Sequence, residues 1–207
     1  RAITMRDYEE LVLEHFPEVD KAQCIAIPQE NALLGICIVV FSCAEDSRYF
    51  LSSAWKLEEI RRAVSRYTSP FVTVKVVNPQ YEKIEVYCRV VLRDNPQRYE
   101  SKVLRQLVVL AQNCIAPWYR KREIPDSGQS FSYKELHARM VNHEDLLRLV
   151  LLEVDGVSLP DVDVETEDHV FKGSKPWSIL LPEIKIELLS PGDGIEKAEI
   201  GGNFIIK

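Results

Sequence analysis

The feature that most constrains the fold of this 207-residue chain is an apolar run at Leu33–Phe41. A strand that is apolar on both faces is covered on both faces, whereas a strand with one solvated face alternates apolar and polar residues. The run therefore predicts a central strand over 33–42 that other parts of the protein cover on both sides. It is far shorter than the roughly 18 or more apolar residues of a membrane span, so we predict no such span.

The sequence around this run predicts a first unit of order α-β-β-α-β. Thr4 and Asp7 have the spacing of a capping box, which satisfies free amide groups at a helix N-terminus, and Pro17 ends the helical pattern that follows. Apolar residues spaced by three or four predict a second helix at 54–67. The other strands of the unit are predicted at 21–28 and 71–77.

A second unit of order β-α-α-β follows the turn signal Asn78-Pro79. Its first strand alternates, and its apolar residues point to one face: Ile84, Val86, Cys88, Val90 and Leu92. Glu85, Tyr87 and Arg89 point to the other face. Asn95 and Pro96 suit the N-cap and first position of a helix, and Pro117 ends it. The apolar stripe of that helix is Val103, Leu107, Leu110 and Cys114.

The remainder of the second unit is a short helix and a strand. Ser132 and Glu135 form a second capping box, and the run at 146–154 predicts a buried strand, although so apolar a run could also extend the helix. The chain is then acidic and turn-rich over 155–173. Three short apolar runs close the sequence, at 177–181, 184–189 and 203–206.

These elements predict an α+β fold of two small α/β units with a short β-rich C-terminal tail. We place the units at 1–80 and 81–155 and the acidic loop and tail at 156–207. A hydrophobic share of 46% and a charged share of 28% exclude disordered, collagen-like and coiled-coil chains. The chain begins at Arg1, within a helix-capping sequence, so we expect it to be a piece of a longer polypeptide.

Charge and cysteine content narrow the function classes further. A net charge of −6 argues against a dedicated nucleic-acid binder, which carries a basic domain or stripe. The five cysteines include no CxxC pair, and four of them lie in apolar stretches. We therefore predict reduced, mostly buried thiols in a cytosolic protein, with neither a disulfide framework nor a zinc site.

Histidine is the first place to look for catalysis. His15 lies on the apolar face of the first helix, and His169 is alone in an acidic segment. His137 and His143 are six residues apart, which puts them on different faces of a helix, unlike the i, i+4 pair of a metalloprotease. The sequence His143-Glu144-Asp145 suits either a loop metal site or, as we favour, a turn.

The acidic alternation from Asp161 to Asp168 begins like a calcium loop but departs from it. Thr166 occupies the position of the required glycine, and Lys172 that of the bidentate glutamate. The sequence also has no GxSxG, GxxxxGK or GxGxxG motif. We therefore predict no catalytic, cofactor-binding or metal-binding residues and no cofactor.

The most unusual local feature is a predicted loop, PWYRKREIPDSGQSF at 117–131, that carries two aromatic and three basic residues in succession. Such a loop can contact phosphate and stack on a base, form a protein interface, or pack its aromatic rings on the neighbouring helix. The negative net charge argues against nucleic acid. We predict a protein interface at Trp118, Tyr119, Arg120, Lys121 and Arg122.

Several stretches in order resemble the baseplate J-like family, the wedge proteins of contractile phage tails and contractile injection systems. The opening RAITMRDYEELV, the PEVDKA turn at 17–22 and VKVVNPQYEKIEV at 74–86 match family patterns. A late family segment is echoed by Trp118 and by FSYKEL at 131–136. The resemblance covers about 1–153. A basic run at 120–122 replaces the glycine-rich loop of the family.

The resemblance implies a structural, non-enzymatic baseplate wedge subunit in an assembled tail-like particle in the cytoplasm. Its partners would be other wedge subunits, sheath or hub proteins and copies of itself. The segment 153–169 has seven acidic residues and no Lys or Arg, which would suit head-to-tail contacts with the basic run. The alternative is an unrelated, hydrolase-like α+β enzyme domain with a dispersed site at His137, His143 and Asp145.

Overall fold

The computed structural model describes residues 2–28, 34–43, 49–92, 100–121, 123–141, 147–159 and 167–189. Its helices and mixed sheets confirm the α+β fold class. The helices are α1 Met5–His15, α2 Ala54–Ser65, α3 Glu100–Ile115, α4 Pro117–Lys121 and α5 Tyr133–Val141. The strands are β1 Lys21–Ile27, β2 Leu34–Phe41, β3 Val72–Val77, β4 Gln80–Leu92, β5 Ser130–Ser132, β6 Leu147–Val154, β7 Val157–Ser158, β8 Val170–Lys172 and β9 Ser178–Leu189.

The apolar run forms β2, the central strand of a sheet ordered β1-β2-β3. β1 is antiparallel to β2 and β3 is parallel to it. On one face, side chains of α1 and α2 such as Val12 and Ile60 pack against Ile36, Ile38 and Val40. Val39 and Phe41 point to the other face and are also fully buried. The prediction of a central strand covered on both sides is confirmed.

The first helix begins at the predicted capping box. The Asp7 N–H donates to Thr4 Oγ1 at 3.2 Å, and the Thr4 N–H donates to Asp7 Oδ2 at 2.8 Å. Hydrogen bonds from the Thr4 and Ile3 amides hold the pKa of Asp7 below its usual value. The helix ends at His15 with Phe16 as its C-cap, directly before Pro17, because proline cannot continue the backbone ladder.

The second sheet has the order β7-β6-β4-β9. The alternation in β4 buries Ile84, Val86, Cys88 and Val90, and they pack against α3 and α5 through residues such as Leu107. The run at 146–154 forms a strand, β6, antiparallel to β4. The two apolar runs predicted at 177–181 and 184–189 form one continuous strand, β9, parallel to β4 along its length.

Two predicted elements lie outside the described residues: the N-cap at Asn95-Pro96 and the apolar run at 203–206. The predicted loop that begins at Pro117 is wrong over its first five residues, which form α4. Proline fixes its own φ at a value suited to the first position of a helix, so Pro117 ends α3 and also begins α4. The division at 1–80, 81–155 and 156–207 stays a prediction.

Candidate interaction surface

The indole of Trp118, predicted to lie on a protein interface, is only 4% exposed. It packs in an apolar cluster with Val39 and Phe41 of β2 and Ile179 of β9. Its ring centroid is 6.0 Å from that of Tyr81 and 5.6 Å from that of Tyr119, the latter edge-on. Trp118 therefore holds the two sheets together within the chain, in agreement with the alternative that the aromatic residues pack inward.

The basic part of the same segment is on the surface. Arg120 and Lys121 are exposed, and Lys121 Nζ lies 4.0 Å from Glu123 Oε1. Tyr119 is half-buried, and Arg122 lies outside the described residues. A partner that binds this segment would therefore contact the cations and the edge of α4 rather than the indole, and the predicted interface stays a prediction.

The segment after α4 attaches the second half of the chain to β1. The Ser127 N–H and Oγ–H both donate to the Gln23 side-chain oxygen, at 2.9 and 3.0 Å. Lys21 donates to the Pro125 carbonyl at 3.1 Å and pairs with Asp126. We call 125–128 the clasp, because it connects the first sheet to the residues that lead into the second.

The other end of the clasp is Gly128, whose N–H donates to the Ser178 carbonyl at 3.0 Å, at the start of β9. Its φ of +73° is in the left-handed region that favours glycine. A Cβ at this position would lie 2.7 Å from the Pro176 carbonyl oxygen. Both the backbone conformation and the close approach therefore require glycine here.

A polar cluster next to the clasp anchors the loop that leads into β9. The Glu82 carboxylate accepts from the Ser174 N–H at 2.9 Å, from Ser174 Oγ at 2.6 Å and from Ser178 Oγ. Burial alone would raise the pKa of Glu82, but these hydrogen bonds outweigh it and hold the pKa below its usual value. The cluster is structural, since the side chain of Ser178 is fully buried.

The described histidines each contact an aromatic ring. His137 stacks on Tyr133 at 6.3 Å between centroids, and burial lowers its pKa. His15 lies 5.7 Å from Tyr67, and its Nδ1 is 3.0 Å from the Leu11 carbonyl. His169 packs edge-on against Phe171 at 4.6 Å. The other two residues of the alternative hydrolase site, His143 and Asp145, lie outside the described residues.

The cysteines and the acidic segment have positions consistent with structural roles. Cys24, Cys37 and Cys88 are buried, and burial raises their pKa to about 12, 11 and 12. Asp168, from the calcium-loop-like stretch, accepts from Ser132 Oγ at 2.6 Å and from the Lys134 N–H at 3.2 Å at the start of α5. Across the described ranges, no group of three or more His, Cys, Asp or Glu side chains is placed to hold a metal ion.

The outer face of the second sheet carries alternating charges. Its residues on β4 and β9 include Lys83, Glu85, Tyr87, Arg89, Glu183, Lys185 and Glu187. The Tyr87 hydroxyl donates to Glu187, and burial together with this bond raises the pKa of Tyr87 to about 12. The predicted outward direction of Glu85, Tyr87 and Arg89 is confirmed, since none of the three is buried.

Two exposed aromatic residues were not singled out in the sequence. Trp55 at the start of α2 and Phe71 just before β3 are each 72% exposed. Aromatic residues are enriched at interface hot spots, so these two exposed rings are candidate contact residues. The sequence signal for Trp55 is its position in α2, off the apolar stripe of Leu57, Ile60 and Val64.

Among the described residues, no helix is long and apolar enough to span a membrane.

No protein-family model matches the sequence, and no curated protein matches it either. A solved structure with the same fold is a chain in the 6-fold symmetrised cryo-EM structure of the anti-feeding prophage baseplate. The two superpose with a TM-score of 0.58 at 18% sequence identity, over 88% of this chain and 38% of the other. This chain thus spans less than half the length of that neighbour. At this identity the likeness establishes the fold, which is that of part of a baseplate chain.

Proposed function

We propose that this chain is part of a structural baseplate subunit, a wedge component of a phage-tail-like contractile apparatus. The observation that carries the proposal is the fold, which 88% of the chain shares with part of an anti-feeding prophage baseplate chain. The stretches at 1–12, 17–22 and 74–86, which resemble baseplate J-like patterns in the same order, also support it, because they come from the residues and not from the superposition. Such a subunit assembles in the cytoplasm.

A role through protein–protein contacts, rather than catalysis, agrees with where the reactive groups lie. A thiol reacts as its thiolate, and burial raises the pKa of Cys24, Cys37 and Cys88, which makes the thiolate form less favourable than in an exposed cysteine. His137 is stacked on Tyr133 with a lowered pKa, and Ser178 is fully buried as a donor to Glu82. These groups stabilise the fold.

The surfaces that support assembly are aromatic and charged. Trp55 and Phe71 each expose 72% of their surface, and Arg120 and Lys121 are exposed beside the buried Trp118. Exposed cations and aromatic rings bind protein surfaces of complementary charge and shape. We propose other wedge subunits, sheath or hub proteins and further copies of this chain as partners, and we propose neither a nucleic-acid partner nor a membrane span.

Pull-down of the full chain against purified sheath, hub and wedge proteins from the same gene cluster tests the proposal. We expect capture of at least one of them, and we expect Trp55→Ala or Phe71→Ala to weaken it by about tenfold or more, as at an interface hot spot. Trp177→Ala is the matched control. Its ring lies 4.7 Å below Lys75 Nζ within the chain, so truncation affects stability rather than capture.

Failure to capture any of these proteins would contradict the proposal. If the chain captures no partner and also has a measurable hydrolytic turnover that His137→Ala abolishes, the result favours the enzyme alternative.

A further inference from the structure

β9 is an edge strand whose second edge is unpaired within the described part of the chain. The sheet order β7-β6-β4-β9 places β9 at one end, hydrogen-bonded to β4 alone. An unpaired strand edge presents a row of N–H and C=O groups that can pair with another chain. The edge of β9 is therefore one place where a further strand can add to this sheet.

The backbone of β9 identifies the residues that face this edge. The Trp177 carbonyl accepts from the Gln80 N–H on the β4 side, whereas the Ser178 carbonyl accepts from Gly128 in the clasp on the other side. The N–H and C=O of one residue point to the same edge, and successive residues alternate. The backbone N–H and C=O groups of even-numbered residues therefore point to the edge away from β4. Beyond Pro182, these residues are Ile184, Ile186 and Leu188.

The clasp and Pro182 limit the usable edge. Gly128 already bonds to Ser178, and Pro182 faces outward without an N–H, as prolines within sheets usually do at an edge. Among the described residues, the part of this edge without a backbone partner is therefore 183–189, which we call the open part. Its even residues pack half-buried against the core, and its odd residues alternate in charge on the polar face: Glu183, Lys185 and Glu187.

We propose that the open edge of β9 binds a second copy of this chain, antiparallel, about a two-fold axis at Ile186. Ile186 then faces its own symmetry mate, Ile184 faces Leu188 of the second copy, and each of these pairs exchanges both N–H···O bonds. On the polar face, Lys185 lies opposite Glu187 of the other copy, and the same pair recurs by symmetry. The apolar face of one sheet continues into the other.

Two neighbouring registers of the antiparallel pair are less favourable, one because of like charges and one because of Pro182. An axis at Lys185 would place Lys185 opposite Lys185 and Glu183 opposite Glu187, and like charges directly opposite each other destabilise a sheet. An axis at Ile184 would place Pro182 opposite Ile186 and lose hydrogen bonds, because proline has no N–H. Charge pattern and proline position together select the axis at Ile186.

Lys185 has no ion pair with another residue of the described ranges. By contrast, Glu183 Oε2 lies 3.6 Å from Lys83 Nζ, and the Glu187 carboxylate accepts a hydrogen bond from the Tyr87 hydroxyl. A second copy would give Lys185 a partner. The inference deepens the proposed function by naming a self-contact. It is tested on the purified chain alone, so its failure leaves capture of other baseplate proteins unaffected.

Analytical ultracentrifugation of the full chain over a range of concentrations provides the test. We expect a reversible dimer, with Lys185→Glu weakening dimerisation by about tenfold because two favourable pairs become repulsive. The double variant Lys185→Glu/Glu187→Lys exchanges the charges and should restore the dimer. Lys172→Glu is the control, since Lys172 is also an exposed strand lysine but belongs to the separate β5–β8 sheet.

Hydrogen exchange supplies a second readout that does not depend on the variants. The amides of Ile184, Ile186 and Leu188 should be protected in the dimer and exchange freely on dilution. A chain that stays monomeric at high concentration, or a dimer that Lys185→Glu leaves unchanged, overturns the proposal. So does concentration-independent protection of these amides, which would mean that another part of the same chain occupies the edge.

Discussion

The position of Trp118 can be tested by its effect on stability. Since the indole is 4% exposed and packs with residues of β2 and β9, Trp118→Ala removes a large side chain from a site that cannot fully collapse. We expect a loss of about 3–5 kcal/mol in the free energy of unfolding, measured by urea denaturation with circular dichroism. Arg120→Ala, two residues on and exposed, should change it by less than about 0.5 kcal/mol. Equal effects of the two variants would show that the indole is not buried.

Glu82 gives a prediction about pH. Its hydrogen bonds from Ser174 and Ser178 hold its pKa below the ordinary value of 4.5, against the opposing effect of burial. A carboxyl group whose pKa is lower in the folded chain contributes stability that is fully present above its unfolded pKa and is lost as pH falls through the folded value. Glu82→Gln should therefore be least stable relative to the unmodified chain at neutral pH.

Urea unfolding at a series of pH values measures the difference in free energy of unfolding between Glu82→Gln and the unmodified chain. We expect this difference to decrease progressively as the pH falls below 4.5. Glu183→Gln is the control. Glu183 Oε2 lies 3.6 Å from Lys83 Nζ, but the Lys83 side chain is 80% exposed, and such surface ion pairs contribute little to stability. A difference that stays constant with pH would show that the Glu82 charge does not stabilise the fold.

Contacts of this kind could not be predicted from the sequence. Glu82 and Ser174 are 92 residues apart, and Gln23 and Ser127 are 104 apart. Nothing in the local pattern of a polar side chain identifies a partner at such a distance. The composition of 118–122 did indicate a segment rich in contacts, but composition alone cannot tell an inward-facing indole from an outward-facing one.

Among the elements, those with a strong local pattern were predicted well. The doubly apolar β2, the alternating β4 and the capping box of α1 each depend on the residues within one element, and each is confirmed. The stripe of α3 is also confirmed, with Val103 and Leu107 buried. Local periodicity is enough to predict an element when the spacing of its own apolar side chains determines which face it buries.

The elements that were missed contain residues with two possible roles. In the sequence, Pro117 predicts the end of a helix, but it also begins α4. Pro182 predicts a break between two apolar runs, but they form one strand because a proline is tolerated at a sheet edge. The hairpin between β6 and β7 turns at Asp155-Gly156, both with positive φ, a dipeptide typical of a tight two-residue turn. This dipeptide is visible in the sequence, but the prediction covers it only as part of the turn-rich stretch 155–173.

For the whole molecule, the two sheets are connected by more than the chain at 78–79. The Trp118 cluster joins β2 to β9, and the clasp joins β1 to the start of β9. We retain the division at 1–80, 81–155 and 156–207 as a proposal. Because β9 pairs with β4 along its length, a chain cut after 155 would lose a strand of the second sheet.

Gly128 tests whether the clasp couples the two sheets. Gly128→Ala combines the cost of an alanine at a φ of +73° with a Cβ that would lie 2.7 Å from the Pro176 carbonyl oxygen. Gly156→Ala is a matched control, since it has a φ of +77° but, among the described residues other than its chain neighbours, no atom within 4 Å of its added Cβ. The two variants share the backbone cost, and only Gly128→Ala also displaces the clasp.

We expect Gly128→Ala to be less stable than Gly156→Ala by about 1–3 kcal/mol, the usual cost of forcing atoms into a packed site. Hydrogen exchange should speed up in Gly128→Ala at residue 128, because its N–H loses the Ser178 carbonyl as acceptor. It should also speed up at β1, where the clasp holds the side chains of Gln23 and Lys21. Exchange at β1 should stay unchanged in Gly156→Ala. If β1 responds equally in both variants, the clasp does not transmit strain between the sheets, and the Trp118 cluster is left as the principal connection.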